Sequence, residues 1–199
     1  MPLFKSGKNL IHFIHIPKTG GSSIENALAN LTGIKMALQT GKNEMFKVTP
    51  QHMDKAMYKK VIPKNFVDWH FTVVRNPYSR ILSEYKMKVL AVDNVNISLD
   101  DFIEQSISRC KVYPYTRDNH IRPQVDFVAN FVEVFKLEDG LENPIKMACR
   151  YLNVKSTNSI PHSRKIDVKP IKINKKTVNL ISTFYEKDFH RFKYDPDTL

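Results

Sequence analysis

The chain has only two cysteines, Cys110 and Cys149, in 199 residues. Two thiols cannot make a disulfide framework or, by themselves, a structural zinc site, so both are expected to be reduced. No stretch approaches the ~20 apolar residues that a membrane span needs. The apolar run near the N-terminus covers residues 10–16 and ends in Pro-Lys with no small-residue cleavage site, which excludes a secretory signal. Repeats, low-complexity tracts and Gly/Ser linkers are also missing, so one domain over residues 1–199 is expected. Acidic residues are scarce: 20 against 31 Lys and Arg leave a net charge of +11. That excess asks for an anion, whether nucleic acid, an acidic membrane or a small phosphorylated or sulfated ligand.

Hydrophobic residues at 42% and aromatics at 11% are enough for a core. Residues 10–16, Leu-Ile-His-Phe-Ile-His-Ile, read as a strand buried on both faces. A glycine turn follows, and then a helix over 22–30 with Ile24, Ala27 and Leu28 on one side. Residues 69–74 and 131–137 read as two further strands, and helices are expected at 51–61, from Pro77, at 99–110, from Leu141 and over 174–192. Residues 33–47, 112–124 and 156–170 read as irregular. Strands alternating with helices predict an α/β fold with a mainly parallel sheet and ligands at the carboxyl ends of its strands.

Two stretches carry chemistry. In His15-Ile-Pro-Lys-Thr-Gly-Gly-Ser-Ser23 the glycines admit a close backbone approach. The new helix adds unpaired N–H groups and a positive dipole end. Lys18 stands at the turn, and because it precedes the glycines the pattern is not G-x-x-x-x-G-K-[ST]. In Phe71-Thr-Val-Val-Arg-Asn-Pro-Tyr-Ser-Arg-Ile-Leu-Ser-Glu-Tyr85, Arg75 sits at a strand end and Ser83 follows eight residues later. An arginine fork with a hydroxyl suits a phosphate monoester. Two anion sites on adjacent strand ends point to one ligand with two separated phosphates.

The first stretch resembles the 5′-phosphosulfate loop of sulfotransferases, especially the carbohydrate (heparan 2-O-like) branch, and the second resembles their 3′-phosphate motif. The resemblance continues through His120-Ile-Arg-Pro-Gln124, residues 131–141 and Pro161-His-Ser-Arg-Lys165. It implies a three-layer fold similar to P-loop nucleotide kinases. It also implies transfer of a sulfuryl group from 3′-phosphoadenosine 5′-phosphosulfate to an acceptor hydroxyl, with a carbohydrate as the expected acceptor and no metal. Carried over by position, Lys18 faces the bridging oxygen, Thr19, Gly20, Gly21, Ser22 and Ser23 hold the 5′-phosphate, and Arg75 and Ser83 hold the 3′-phosphate. Arg164 and Lys165 match the basic loop over that phosphate, except that Ile166 stands where the family has glycine.

In-line attack on sulfur also needs a general base. His52 lies shortly upstream of the 3′-phosphate motif, where the heparan 2-O-like branch has a catalytic histidine, and ranks first; His120, Glu25 and His15 compete. His12, His70, His162 and His190 are expected to be structural. Tyr115, Arg117 and Arg122 are candidates for acceptor contact. A nucleotide or sugar kinase lacks the G-K-[ST] order, and a nucleic-acid-binding domain is disfavoured by scattered lysines. Lacking a signal anchor, the chain differs from Golgi-resident animal relatives, and a bacterial or viral-type cytoplasmic location is expected.

Overall fold

The computed structural model describes residues 2–32, 34–36, 46–92, 97–155 and 173–198. Strands β1 (Leu3–Ser6) and β2 (Asn9–Ile14) form an antiparallel hairpin around Gly7-Lys8. Gly7 adopts a φ of 56°, which glycine reaches without Cβ strain. Strand β3 (Ile34–Met36) pairs antiparallel with the outer edge of β1. On the other side of β2 lies β4 (Trp69–Val74), and beyond it β5 (Glu133–Lys136), both pairings parallel. The order β3-β1-β2-β4-β5 keeps the three expected strands as a parallel centre and adds two antiparallel ones. Sequence reading missed β1 and β3 because strands this short carry too few alternations to register as a pattern.

Alternation sorts the sheet's side chains. Ile11, Phe13, Trp69, Phe71 and Val73 face helices α1 (Gly21–Ala29) and α5 (Glu142–Leu152), meeting Ile24, Leu28, Ile145 and Leu152. Ile14 and Val74 face the other way, onto Tyr58 of α2 (Lys55–Val61) and the segment with Phe127 and Val128. A third apolar cluster joins α3 (Pro77–Tyr85), α4 (Leu99–Val112), α6 (Lys175–Phe184) and α7 (Glu186–Phe192) through Ile81, Phe102, Ile181 and Phe189.

Local caps set the helix limits. The expected helix over 51–61 breaks in two: a 3₁₀ turn covers Pro50–His52, and Asp54 then caps α2 by accepting from the Ala56 and Met57 amides at 2.8 and 3.0 Å. Asn76 caps α3, with Pro77 in the first turn. Helix α3 runs on into a π-helical stretch, Lys86–Val92. Both cysteines are buried.

Because β2 and β4 are parallel neighbours, their carboxyl ends lie side by side. Their polar interior is a histidine pair: His12 Nδ1 and His70 Nδ1 are 3.0 Å apart, and His70 Nε2 donates to the Lys64 carbonyl at 2.9 Å. Burial, the largest cause for each, pushes both pKa values below the ordinary histidine value, furthest for His12. Below pH ~6.5 the unfolded chain therefore binds protons that the folded chain refuses, and stability falls as pH falls. Each such histidine contributes a slope of at most ~1.4 kcal/mol per pH unit. Urea unfolding at pH 7.5, 6 and 5 is expected to show this decline, and a flat profile would contradict neutral burial of the pair.

Candidate active site

The turn after β2 is shaped by conformations that most side chains avoid. Lys18 has a φ of 70° and Gly20 a φ of 87°. The Thr19 hydroxyl donates to the Ile16 carbonyl at 2.8 Å, so its proton is spent closing the turn and only the Thr19 backbone remains to meet a ligand. A Cβ on Gly21 would fall 2.3 Å from the His15 ring, which therefore rests directly on the glycine backbone. No side chain caps the N-terminus of α1. Its first amides and dipole end form an anion cradle beside exposed Ser22 and buried Ser23. The Lys18 ammonium is half-buried and donates to the Met87 sulfur at 3.1 Å.

Arg75 leaves the end of β4 and reaches this turn: its Nη1 donates to the Lys18 carbonyl at 3.3 Å. Gln124 grips the Arg75 backbone from both sides, accepting from its amide at 2.9 Å and donating to its carbonyl at 2.8 Å. Buried Asp188 in turn accepts from the Gln124 and Val125 amides. Burial lowers the Arg75 pKa, opposed by the charges of Glu138 and Tyr194. Ser83 is half-buried on α3.

The candidate bases stand in one row. The rings of His15 and His52, and of His52 and His120, meet edge to face at 5.0 Å each. Every Nδ1 in the row has its own carboxylate: His15 with Glu25 at 2.5 Å, His52 with Asp118 at 2.7 Å, His120 with Glu84 at 2.6 Å. Gln51 also donates to both oxygens of Glu25, so that carboxylate is committed to holding His15. Burial drives the His52 pKa down to about 3, against the pull of the Asp118 hydrogen bond. For Glu25, Glu84 and Asp118 burial pushes the other way, yet hydrogen bonds from their histidines prevail and each pKa lies below the usual value.

Asp118 reaches His52 through an unusual backbone. Arg117, Asp118 and Asn119 have φ values of 50°, 56° and 65°, a left-handed turn that costs roughly 1–2 kcal/mol per residue and less for Asp and Asn. The turn is held by Asp118, which accepts from the Thr49 amide and hydroxyl at 2.6 and 2.7 Å, and by Asn119, which donates to the His52 carbonyl at 2.9 Å.

Sequence reading missed Asp118, Glu84 and Arg80. Arg80 is 2% exposed, and its fork donates to three carbonyls: Nε to Pro17 at 3.0 Å, Nη1 to Arg122 at 2.9 Å, Nη2 to His120 at 3.0 Å. Arg80 and Glu84 lie one turn apart beside Ile81 and Tyr85, and charged residues on that apolar stripe were the available signal. Asp118-Asn119, a pair tolerant of left-handed backbone, was the weaker one.

The acceptor candidates are placed unevenly. Arg122 forms ion pairs with Asp54 at 2.8 Å and Asp126 at 3.0 Å, so its charge is already compensated. Arg117 lies over the Phe102 ring, 4.8 Å from its centroid. The half-buried Tyr115 ring has Lys47 and Arg122 over it. Arg164, Lys165 and His162 lie outside the described residues. Exchanging Arg80 for Lys keeps the charge but strands carbonyls of the fork, at about 1–3 kcal/mol for each buried group left unpaired. Arg80→Lys is expected to lower unfolding stability by about 2 kcal/mol or more, whereas Arg191→Lys, at an exposed position of α7, should stay within about 0.5 kcal/mol of the parent. Equal stability of the two variants would deny Arg80 its structural role.

Among the described residues, no helix is long and apolar enough to cross a membrane. None of the curated proteins compared matches the chain. Among solved structures it is similar to a sulfotransferase from Alicyclobacillus acidocaldarius, with 14% identity over 94% of this chain and 95% of that one, at a TM-score of 0.52. That likeness concerns the fold, a parallel-centred α/β sheet of the P-loop-like kind. The match to the Sulfotransferase family extends over residues 1–195, with the turns at Lys18 and Arg75 both inside that span, and the chain belongs to the sulfotransferase family of enzymes.

Proposed function

We propose that the protein moves a sulfuryl group from 3′-phosphoadenosine 5′-phosphosulfate to an acceptor hydroxyl on a carbohydrate, in the cytoplasm. The observation that carries this reading is the 3.3 Å bond from the Arg75 guanidinium to the Lys18 carbonyl. It joins the two turns at the carboxyl ends of β2 and β4, as a ligand with separate 5′ and 3′ phosphates requires. The turn suits such a ligand because Gly20 supplies its left-handed backbone and the N-terminus of α1 follows at once with unpaired backbone N–H groups.

In this reading the amides of 19–23 with Ser22 and Ser23 hold the 5′-phosphate, and Arg75 and Ser83 hold the 3′-phosphate. The donor supplies an activated sulfate ester with a phosphate leaving group. Lys18 brings its ammonium to the bridging oxygen where negative charge grows, leaving its contact with Met87. His52, neutral in the buried row, takes the acceptor proton on Nε2, because Nδ1 is engaged by Asp118. Asp118 fixes the ring and stabilises the imidazolium as it forms, which makes it a positioning residue. The 113–122 loop, with Tyr115 and Arg117, is assigned to the acceptor side because it carries Asp118 and His120. In-line transfer asks for no metal in this scheme.

Labelled sulfate transfer from the donor to a glycan panel tests the proposal. Lys18→Ala should reduce turnover about 100-fold or more while the fold survives. Asp118→Asn should lower kcat by about 100-fold or more with little change in donor KM. Near-parent turnover in Lys18→Ala would remove it from the mechanism. Loss of activity in His120→Ala with full activity in His52→Ala would move the base to His120. Thermal stabilisation by ATP with magnesium alone, or by duplex DNA alone, would overturn the sulfuryl-transfer reading.

A further inference from the structure

Two of the row's histidines also form part of a set of metal-ligand type. His52 comes from the 3₁₀ turn Pro50–His52, while Asp118 and His120 come from the left-handed turn and the residue that follows it. One ligand atom from each of the three lies within 4.8 Å of the other two. We propose that this cluster binds a zinc-class divalent ion, and that the ion silences the enzyme by occupying the histidine row. The inference rests on the cluster, and its binding tests are independent of the sulfuryl-transfer reading.

The donor set comes first. Two imidazoles and one carboxylate are the borderline ligands that zinc and its neighbours in the first transition row prefer. Three protein ligands and an open fourth position form a common zinc arrangement.

The surroundings of the cluster supply a second, independent observation. A ligating histidine usually has its other ring nitrogen held by a carboxylate, which fixes the tautomer and raises basicity. His120 has that arrangement already: its Nδ1 is 2.6 Å from Glu84, leaving Nε2 as the ligand atom. Glu84 is fully buried, and its Oε1 has no hydrogen-bond partner among the described residues. With Glu25 holding His15 next to His52, three carboxylates surround the row. Lys18 is the cation of the transfer site whose charge reaches Glu84, joined there by that of Lys88. Fixed negative charge in a poorly solvated place favours a cation.

Direction then fixes how the ion sits. The two nitrogens of an imidazole point away from each other, and Asp118 lies on the Nδ1 side of His52 at 2.7 Å. An ion bound by both His52 and Asp118 must therefore take the position of the proton they now share. Binding changes the tautomer of a neutral ring: the Nδ1 proton of His52 passes through solvent to Nε2, and His52 Nδ1 and the Asp118 carboxylate become ligands. Tetrahedral ligands at about 2.1 Å from zinc stand about 3.4 Å apart, so the cluster has to contract by roughly an ångström. Asp118 and His120 move together, because one short turn carries both.

The ion would detach His52 from Asp118 and leave Nε2, the atom assigned to the acceptor's proton, already protonated. Inhibition follows from both effects. Sequence reading found no metal-binding spacing because His52 and Asp118 are separated by 66 residues.

The experiment begins with protein freed of metal by chelator dialysis. Isothermal titration with zinc chloride at neutral pH should give one site. Cobalt(II) should give the intense visible absorption of a tetrahedral site and be displaced by zinc. Asp118→Asn and His120→Ala should each weaken zinc binding at least tenfold with unchanged far-ultraviolet circular dichroism, and His190→Ala on exposed α7 should bind like the parent. Zinc should inhibit sulfuryl transfer over the concentration range in which it binds, and chelator should restore it. Absence of binding, a cobalt complex without tetrahedral absorption, or parent-like affinity in the Asp118 and His120 variants would overturn the proposal. If either variant fails to fold, the cobalt spectrum of the parent protein decides.

Discussion

The buried guanidinium of Arg80 holds the two halves of the site together. Its three donors reach Pro17 in the turn after β2, and His120 and Arg122 in the loop that carries the third histidine. These carbonyls belong to segments more than 100 residues apart in sequence and would otherwise be buried without partners. Burying a cation is costly, and the cost is offset only when all its donors find acceptors in good geometry. Arg80 meets that condition through charge-assisted bonds between 2.9 and 3.0 Å. One helical turn later Glu84 fixes the ring of the same His120 whose carbonyl Arg80 holds. Helix α3 thus sets both the backbone and the side chain of the loop.

A related economy governs the histidine row. Each ring is oriented by a carboxylate from another segment: Glu25 from α1, Asp118 from the left-handed turn, Glu84 from α3. The carboxylates keep low pKa values despite burial because the rings donate to them. The arrangement aligns three imidazoles beside the anion cradle with their Nε2 atoms uncommitted to those carboxylates. Proton acceptance and the proposed metal capture call on the same ring of His52, through its two different nitrogens.

The legible parts of the sequence were those with local signatures. The strand, turn and helix around Lys18 follow from an apolar run, two glycines and a helical stripe, and Arg75 follows from its place after a second run. His52 and His120 could be named because a family pattern singled them out, and both lie in the row. Partners set by long-range packing were not legible. Asp118 becomes the companion of His52 only through three left-handed residues, and Arg80 reads locally as one more cation in a chain of charge +11. The same blindness explains Arg122: two nearby carboxylates, Asp54 and Asp126, take up the charge that sequence reading offered to the acceptor. Most of the excess positive charge lies outside the site, so net charge was a poor guide to the ligand.

The central claim is that the turns at Lys18 and Arg75 form one site for a ligand phosphorylated at both ends of a ribose. Calorimetric titration with adenosine 3′,5′-bisphosphate, adenosine 5′-monophosphate and adenosine 3′-monophosphate tests it most directly. The account predicts that removing either phosphate weakens binding at least tenfold. It also predicts that Arg75→Ala abolishes the advantage of the 3′-phosphate alone, leaving affinity for the 5′-monophosphate unchanged. Equal affinity for the bisphosphate and the 5′-monophosphate in the parent protein would contradict it.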